Sequence, residues 1–108
     1  MSIEERIITA LSPIVSEIMP NVYTGDSLEY IEFNYNEIPA VIADSTTDTY
    51  RCIVQVHYYL PSKQNPTATK KQIIEALNDA GFTMPSITNA SDQNGQHYVF
   101  ECEGIEVF

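Results

Sequence analysis

Few side chains in this chain have the chemistry of a reactive site, and their spacing sets what they can do. His57 and His97 are its two histidines. Both fall on the non-apolar phase of an alternating stretch, as does Glu101. If the two stretches are neighbouring strands, His57, His97 and Glu101 offer two imidazoles and a carboxylate, a donor set that suits zinc. The spacing does not demand this, and histidines on a wet strand face are the ordinary reading, so no metal is expected. Cys52 and Cys102 form neither a zinc pair nor a C-x-x-C motif. Each is in phase with apolar strand neighbours and reads as a small buried hydrophobe, kept reduced. Glu101 and Glu103 flank Cys102, and adjacent carboxylates raise a thiol's pKa, the wrong direction for a nucleophile. There is no phosphate loop, G-x-S-x-G or H-E-x-x-H motif. The chain is expected to be no enzyme and to need no cofactor.

The elements that carry these residues follow from periodicity. Tyr50–Leu60, YRCIVQVHYYL, is the longest β-type run. Tyr50, Cys52, Val54, Val56, Tyr58 and Leu60 share one face, and Arg51, Ile53, Gln55, His57 and Tyr59 share the other. Ile53 and Tyr59 interrupt the polarity of the second face and mark it as a candidate partner surface. Residues 2–18 read as a helix opened by the capping box of Ser2 and Glu5, with Ile3, Ile7, Ile8, Leu11, Ile14, Val15 and Ile18 as its stripe. Pro13 should kink or split it, or open a second short helix. A short extended piece at Val22–Tyr23 and a turn at Gly25–Asp26 precede a strand over Leu28–Tyr35. A shorter strand over Ile38–Ala43 follows, then a polar arm, Asp44–Thr49. Thr67–Ala80 reads as the second helix, capped by Asn65 or Thr67 and closed by Gly81 in the left-handed conformation, with Phe82 folding back. Phe82–Thr88 is extended. Asp92–Gly95 is a hairpin turn whose Asn-Gly pair suits positive φ. Gln96–Glu103 is the last strand, with Tyr98, Phe100 and Cys102 inward. The apolar tail Ile105–Phe108 is expected to add a sheet edge or to dock on another subunit. The whole, 1–108, is a single α+β domain of order α-β-β-β-α-β-β, with a mostly antiparallel sheet and two helices on one face.

Composition narrows the function classes. Fifteen acids against five bases give a net charge of −10. That argues against gripping duplex DNA, which requires phosphate neutralisation by Lys and Arg. No apolar run approaches the ~20 residues of a membrane span. The start of the chain lacks the basic and apolar regions of a secretory signal, so a cytoplasmic chain is expected.

Three blocks in order carry a resemblance: YIEFNYNEIPAVIADSTTDTY (Tyr30–Tyr50), QVHYYLPSKQNPTATKKQIIEALNDAGFTMPSITNASD (Gln55–Asp92) and GQHYVFECEG (Gly95–Gly104). With the N-terminal helix they resemble the small tail-completion proteins of long-tailed phages and prophages of Gram-positive bacteria, also called tail terminator, minor capsid or head–tail joining proteins. The resemblance implies a fold like that of lambda-type tail terminators and a structural role without catalytic residues. It implies a ring of identical subunits, a hexamer, that completes the tail tube and joins it to the head connector. The implied partners are further copies of the chain, the major tail tube protein and a head-completion protein, with genomic DNA passing through unheld and no membrane involved. The implied location is the virion tail or neck, after assembly in the host cytoplasm. The arm from Asp44 to Tyr50 and the pair Lys70 and Lys71 match the family pattern in place. The short apolar ending GIEVF departs from the longer polar ending of such proteins. Candidate subunit contacts are Ile53 and Tyr59 on the central strand, Asp44 and Asp48 in the arm, and Phe108 in the tail. The alternative is a small cytoplasmic binding module that uses the sheet face or edge.

Overall fold

The structure is a computed structural model and describes residues 2–39 and 49–107. The candidate contacts Asp44, Asp48 and Phe108, and residues 40–43 of the expected third strand, lie outside these. The element order is α1 (Ile3–Leu11), β1 (Ile18–Pro20), β2 (Tyr30–Pro39), β3 (Thr49–Leu60), α2 (Thr67–Asp79), β4 (Ser86–Asn89) and β5 (Gln96–Val107). The strands form one sheet in the order β1-β2-β3-β5-β4. All pairs are antiparallel except β1 with β2. This is the α+β order that the periodicity predicts.

Alternation in β3 decides which face is dry. Cys52, Val54, Val56, Tyr58 and Leu60 are buried together with Ile31 and Phe33 of β2 and Tyr98, Phe100 and Cys102 of β5. Ile3, Ile7 and Leu11 of α1 and Ile73 and Leu77 of α2 close the same core. Both helices therefore cover one face of the sheet. No helix among the described residues is long and apolar enough to cross a membrane.

Several boundaries differ from the sequence reading. The first helix ends at Leu11 and does not reach Ile18, because Pro13 has no N–H to continue it. Ile14 and Val15 N–H both donate to the Leu11 carbonyl (2.9 and 3.0 Å), forming a turn and no second helix. Val15 is still buried, and Ile18 reaches the core side as part of β1. The extended segment is thus Ile18–Pro20, not Val22–Tyr23. The two strands expected over Leu28–Tyr35 and from Ile38 are one strand running to Pro39. Ile31 N–H donates to Glu17 O and Phe33 O accepts from Asn21 N–H, so the odd residues of β2 point away from β3. Pro39, also odd, costs the β2–β3 ladder no donor. At the second helix Pro66 is the cap residue, and Asn65 Oδ1 accepts from Thr67 N–H (3.0 Å). Gly81 has φ +94° as expected, with Phe82 N–H bonded to Leu77 O. In the Asp92–Gly95 turn only Gly95 takes positive φ (150°); Asn94 instead donates its N–H to Asp92 Oδ1 (2.8 Å).

The tail adds to the sheet at its edge: β4 pairs only with Tyr98–Glu101, so Ile105–Val107 have no strand on their outer side among the described residues. Ile105–Val107 continue β5 against Thr49–Arg51 of the central strand. Two ties hold them to α1. Arg6 donates through Nη1 to Ile105 O (2.8 Å) and through Nη2 to Ala80 O (3.0 Å), with its guanidinium 4.6 Å from the Phe82 ring centre. Glu106, nearly buried, accepts from Ile3 N–H at the start of α1 (3.2 Å), where a carboxylate offsets an orphan donor and the helix dipole.

Phe82 lies directly on Gly104. A Cβ at position 104 would sit 2.7 Å from two Phe82 ring carbons. Gly104→Ala is expected to lower stability by about 1–3 kcal/mol, as overpacking does. The measurement is the urea midpoint, which should fall with the slope unchanged.

Candidate functional site

The sheet face away from the helices is covered by neither of them and carries both histidines. Cross-strand register arranges its side chains in rungs. Tyr30, Tyr59 and His97 form one, followed by Glu32, His57 and Val99, then Asn34, Gln55 and Glu101, then Asn36, Ile53 and Glu103, and last Ile38, Arg51 and Ile105. The face is thus aromatic at one end, polar in the middle and aliphatic at the other.

At the aromatic end four rings stack in a row. Tyr23 lies on Tyr30 (centroids 4.1 Å), Tyr30 on Tyr59 (4.6 Å) and Tyr59 on His97 (4.1 Å), with near-parallel planes. Glu32 orders the row: Oε2 accepts from Tyr23 N–H (2.9 Å) and Oε1 accepts from the Tyr59 hydroxyl (3.1 Å). Burial and then the Glu32 charge push the Tyr59 phenol up to about 12. Tyr59 is therefore half-buried and bonded, with both ring faces occupied, and offers a partner only its edge. A groove of about 470 Å³ opens beside the row, lined by Leu28, Tyr30, Tyr59, Pro61, Asp92 and His97 among others.

His57 and His97 are neighbours, as the strand reading allowed, with His57 Nδ1 2.8 Å from His97 Nε2. Glu101 is not a third ligand. Its Oε2 accepts from Gln55 Nε2 (3.1 Å), and Gln55 Oε1 lies 3.2 Å from His57 Nε2. This chain fixes the protons. A carboxylate only accepts, so the Gln55 amide nitrogen faces Glu101 and its oxygen faces His57. His57 Nε2 must then carry the hydrogen, His57 Nδ1 accepts, and His97 Nε2 donates.

At the aliphatic end Ile38, Ile53 and Ile105 surround Arg51. Ile38 and Ile105 are 38% and 52% exposed, and Ile53 is half-buried. Arg51 makes an exposed ion pair with Glu103 (3.5 Å), which adds little stability. Sequence reasoning singled out Ile53; register alone adds Ile38 and Ile105, which the expected strand break before Ile38 and the expected end of the last strand at Glu103 had separated from it.

One further group of donor atoms lies on the helix side. Oxygen atoms of Glu37 and Glu106 and the Cys52 sulfur lie within 4.8 Å of one another. Burial and then Glu106 push the Cys52 thiol up to about 11, and burial with Glu101 and Glu103 does the same for Cys102. Both cysteines are buried and free, and such thiols are poor nucleophiles.

No family model matches the chain, and no curated protein matches it.

Burial lowers the pKa of His57, against an opposing pull from Glu32. Burial and then His57 lower that of His97, against Glu32 and Asp92. The unfolded chain therefore binds more protons once pH falls through the ordinary value of 6.5. Stability should be level above that pH and fall below it, down to the folded pKa values. The check is the urea midpoint from pH 7.5 to 5.5: it should drop in the native chain and drop less in the His57→Asn, His97→Asn double variant.

Proposed function

We propose that this protein is a tail-completion protein of a long-tailed phage or prophage, a structural subunit that assembles with its own copies into a ring. In this reading the ring, a hexamer, closes the tail tube and joins it to the head connector. The observation that carries the reading beyond the resemblance of the three sequence blocks is the aliphatic end of the open sheet face. Ile38, Ile53 and Ile105 stand on neighbouring strands with no helix over them. Ile38 and Ile105 are exposed on either side of Arg51, with the half-buried Ile53 one rung away, and apolar side chains grouped on an uncovered face mark contact surfaces. Ring subunits meet heterologously, so one patch on each copy faces a different patch on the next. The acidic balance supports a passage through which DNA slides without being held. The protein acts by shape and contact, not by catalysis, in the tail or neck of the particle.

The groove beside the aromatic row favours a second reading, a binding module that takes a ligand at Tyr30 and Tyr59. The two readings use opposite ends of the face and separate by mutation. The test is mass by light scattering across a concentration series, with negative-stain imaging, alone and with the major tail tube protein. The ring reading predicts closed rings, or species above the monomer that cap tube ends. It predicts that Ile53→Asp weakens assembly at least tenfold while the monomer stays folded. A strict monomer that neither self-associates nor caps tubes would overturn it in favour of the binding module.

A further inference from the structure

We propose that the outer edge of β2, from Tyr35 to Pro39, takes up an extended strand of a partner protein, with a lysine or arginine of that strand entering the acidic groove between β2 and α1. The site lies on the edge and the helix side of the sheet, apart from the aliphatic end of the open face, and does not depend on the ring reading.

The backbone is the first argument. Odd residues of β2 turn their N–H and C=O groups away from β3, and β1 meets them only as far as Phe33. There the chain leaves the edge. Asn21 takes φ +64°, which asparagine tolerates, and Tyr23 already lies on the open face, its N–H on Glu32 Oε2 and its ring on Tyr30. Beyond Phe33 the N–H and C=O groups of Tyr35 and Glu37 and the C=O of Pro39 have no partner among the described residues. The opposite side of the sheet differs. Past β4, Thr83 bonds both backbone groups of Glu103, and Arg6 takes the Ile105 carbonyl. An exposed row of free donors and acceptors is a template for an added strand.

Charge is the second. Residues opposite one another on paired strands point to the same side, so a side chain set against Glu37 points toward α1. It meets a groove of about 470 Å³ lined by Glu4, Glu5, Glu37 and Glu106 with Ile8 and Tyr35. Oxygen atoms of Glu37 and the nearly buried Glu106 lie within 4.8 Å of each other. None of these four acids is ion-paired with a base among the described residues: Arg51 pairs with Glu103, and Arg6 is turned to Ile105 O and Ala80 O. Carboxylates held this close repel, and an ammonium or guanidinium between them removes the repulsion.

Edge and groove together define the occupant. Antiparallel pairing, the more stable kind per residue, sets a basic residue against Glu37 and the residue two further along against Tyr35. Tyr35 is half-buried against the core and shares the groove with Ile8, which suits an aliphatic side chain there. The segment recognised is therefore basic–any–aliphatic in extended form, held by main-chain bonds and selected by its charge. A second copy of this chain does not supply it. Arg6, Lys70 and Lys71 lie in helices, Arg51 lies in the central strand with both sides paired, and Lys63 lies in the turn after β3. The occupant is a different protein.

The test is NMR titration of the labelled full chain with the end-blocked hexapeptide Thr-Val-Lys-Thr-Val-Thr. Saturable shifts should centre on the amides of Tyr35 and Glu37, with cross-relaxation between β2 and the peptide in antiparallel order. Glutamate in place of the peptide lysine should weaken binding at least about tenfold, the scale of a charge-assisted contact. N-methylation of the peptide amides that face β2 should abolish it. Both comparisons use the native chain, so neither depends on a variant that folds. Glu37→Gln should weaken binding of the lysine peptide by about threefold, the scale of a partly exposed ion pair. Equal binding of the lysine and glutamate peptides, binding that survives N-methylation, shifts centred on the aromatic groove or the outer helix surfaces, or no saturable shift at millimolar lysine peptide would each overturn the proposal.

Discussion

The register of β3 is the constraint on which everything else rests. All twelve of its residues pair with β5, and all but the first and last pair with β2. Side chains on a strand alternate, so a slip of one residue would carry the buried set to the open face. Cys52, Val54, Val56, Tyr58 and Leu60 would then meet water, and Arg51, Gln55 and His57 would meet the helices. The cost of burying those groups without partners excludes the slip. One register thus fixes the core, the side the helices cover and the order of the rungs on the open face.

The helix layer reinforces that choice from the far end of the chain. Arg6 and Glu106 connect α1 to the last residues of β5, and Arg6 also reaches the end of α2. The contacts between α1 and β5 join opposite ends of the sequence, so they form only when the sheet is complete. They hold Ile105 in line beside Arg51, on the same face as Ile53. Stability on the helix side therefore sets the geometry of the surface opposite. That surface is not simply uncovered. Glu32 and the Glu101–Gln55 relay satisfy its polar groups in place, so its aromatic end is ordered before any partner arrives.

Much of this was legible in the sequence, for physical reasons that also explain the rest. Period-2 alternation located β3 and β5 and their inward residues, because half-buried strands must alternate. The capping box at Ser2 and the glycine stop at Gly81 gave one end of each helix. The stripe through Ile14, Val15 and Ile18 misled, because the same residues can be buried from a turn and a short parallel strand as well as from a helix. Pro39 suggested a break where parity leaves its missing N–H pointing away from the ladder. The candidate site was half visible. Alternation put His57 and His97 on one face, but their contact depends on the β3–β5 register. The roles of Glu32, Gln55 and Glu106 are relations across strands, and no local pattern announces them. Ile38 and Ile105 stayed hidden because each sat in a segment given the wrong boundary.

The central proposal is that the open sheet face, at its aliphatic end, is where this chain would meet its copies while the helix face stays in water. Backbone amide NMR shifts of the labelled chain, followed from dilute to concentrated solution, test it most directly. The account predicts concentration-dependent shifts at Ile38, Arg51, Ile53, Glu103 and Ile105 and at a second, different patch that meets them on the next copy, with the outer surfaces of α1 and α2 spared. Shifts confined to the helices, or none at any concentration with or without the tail tube protein, would contradict it.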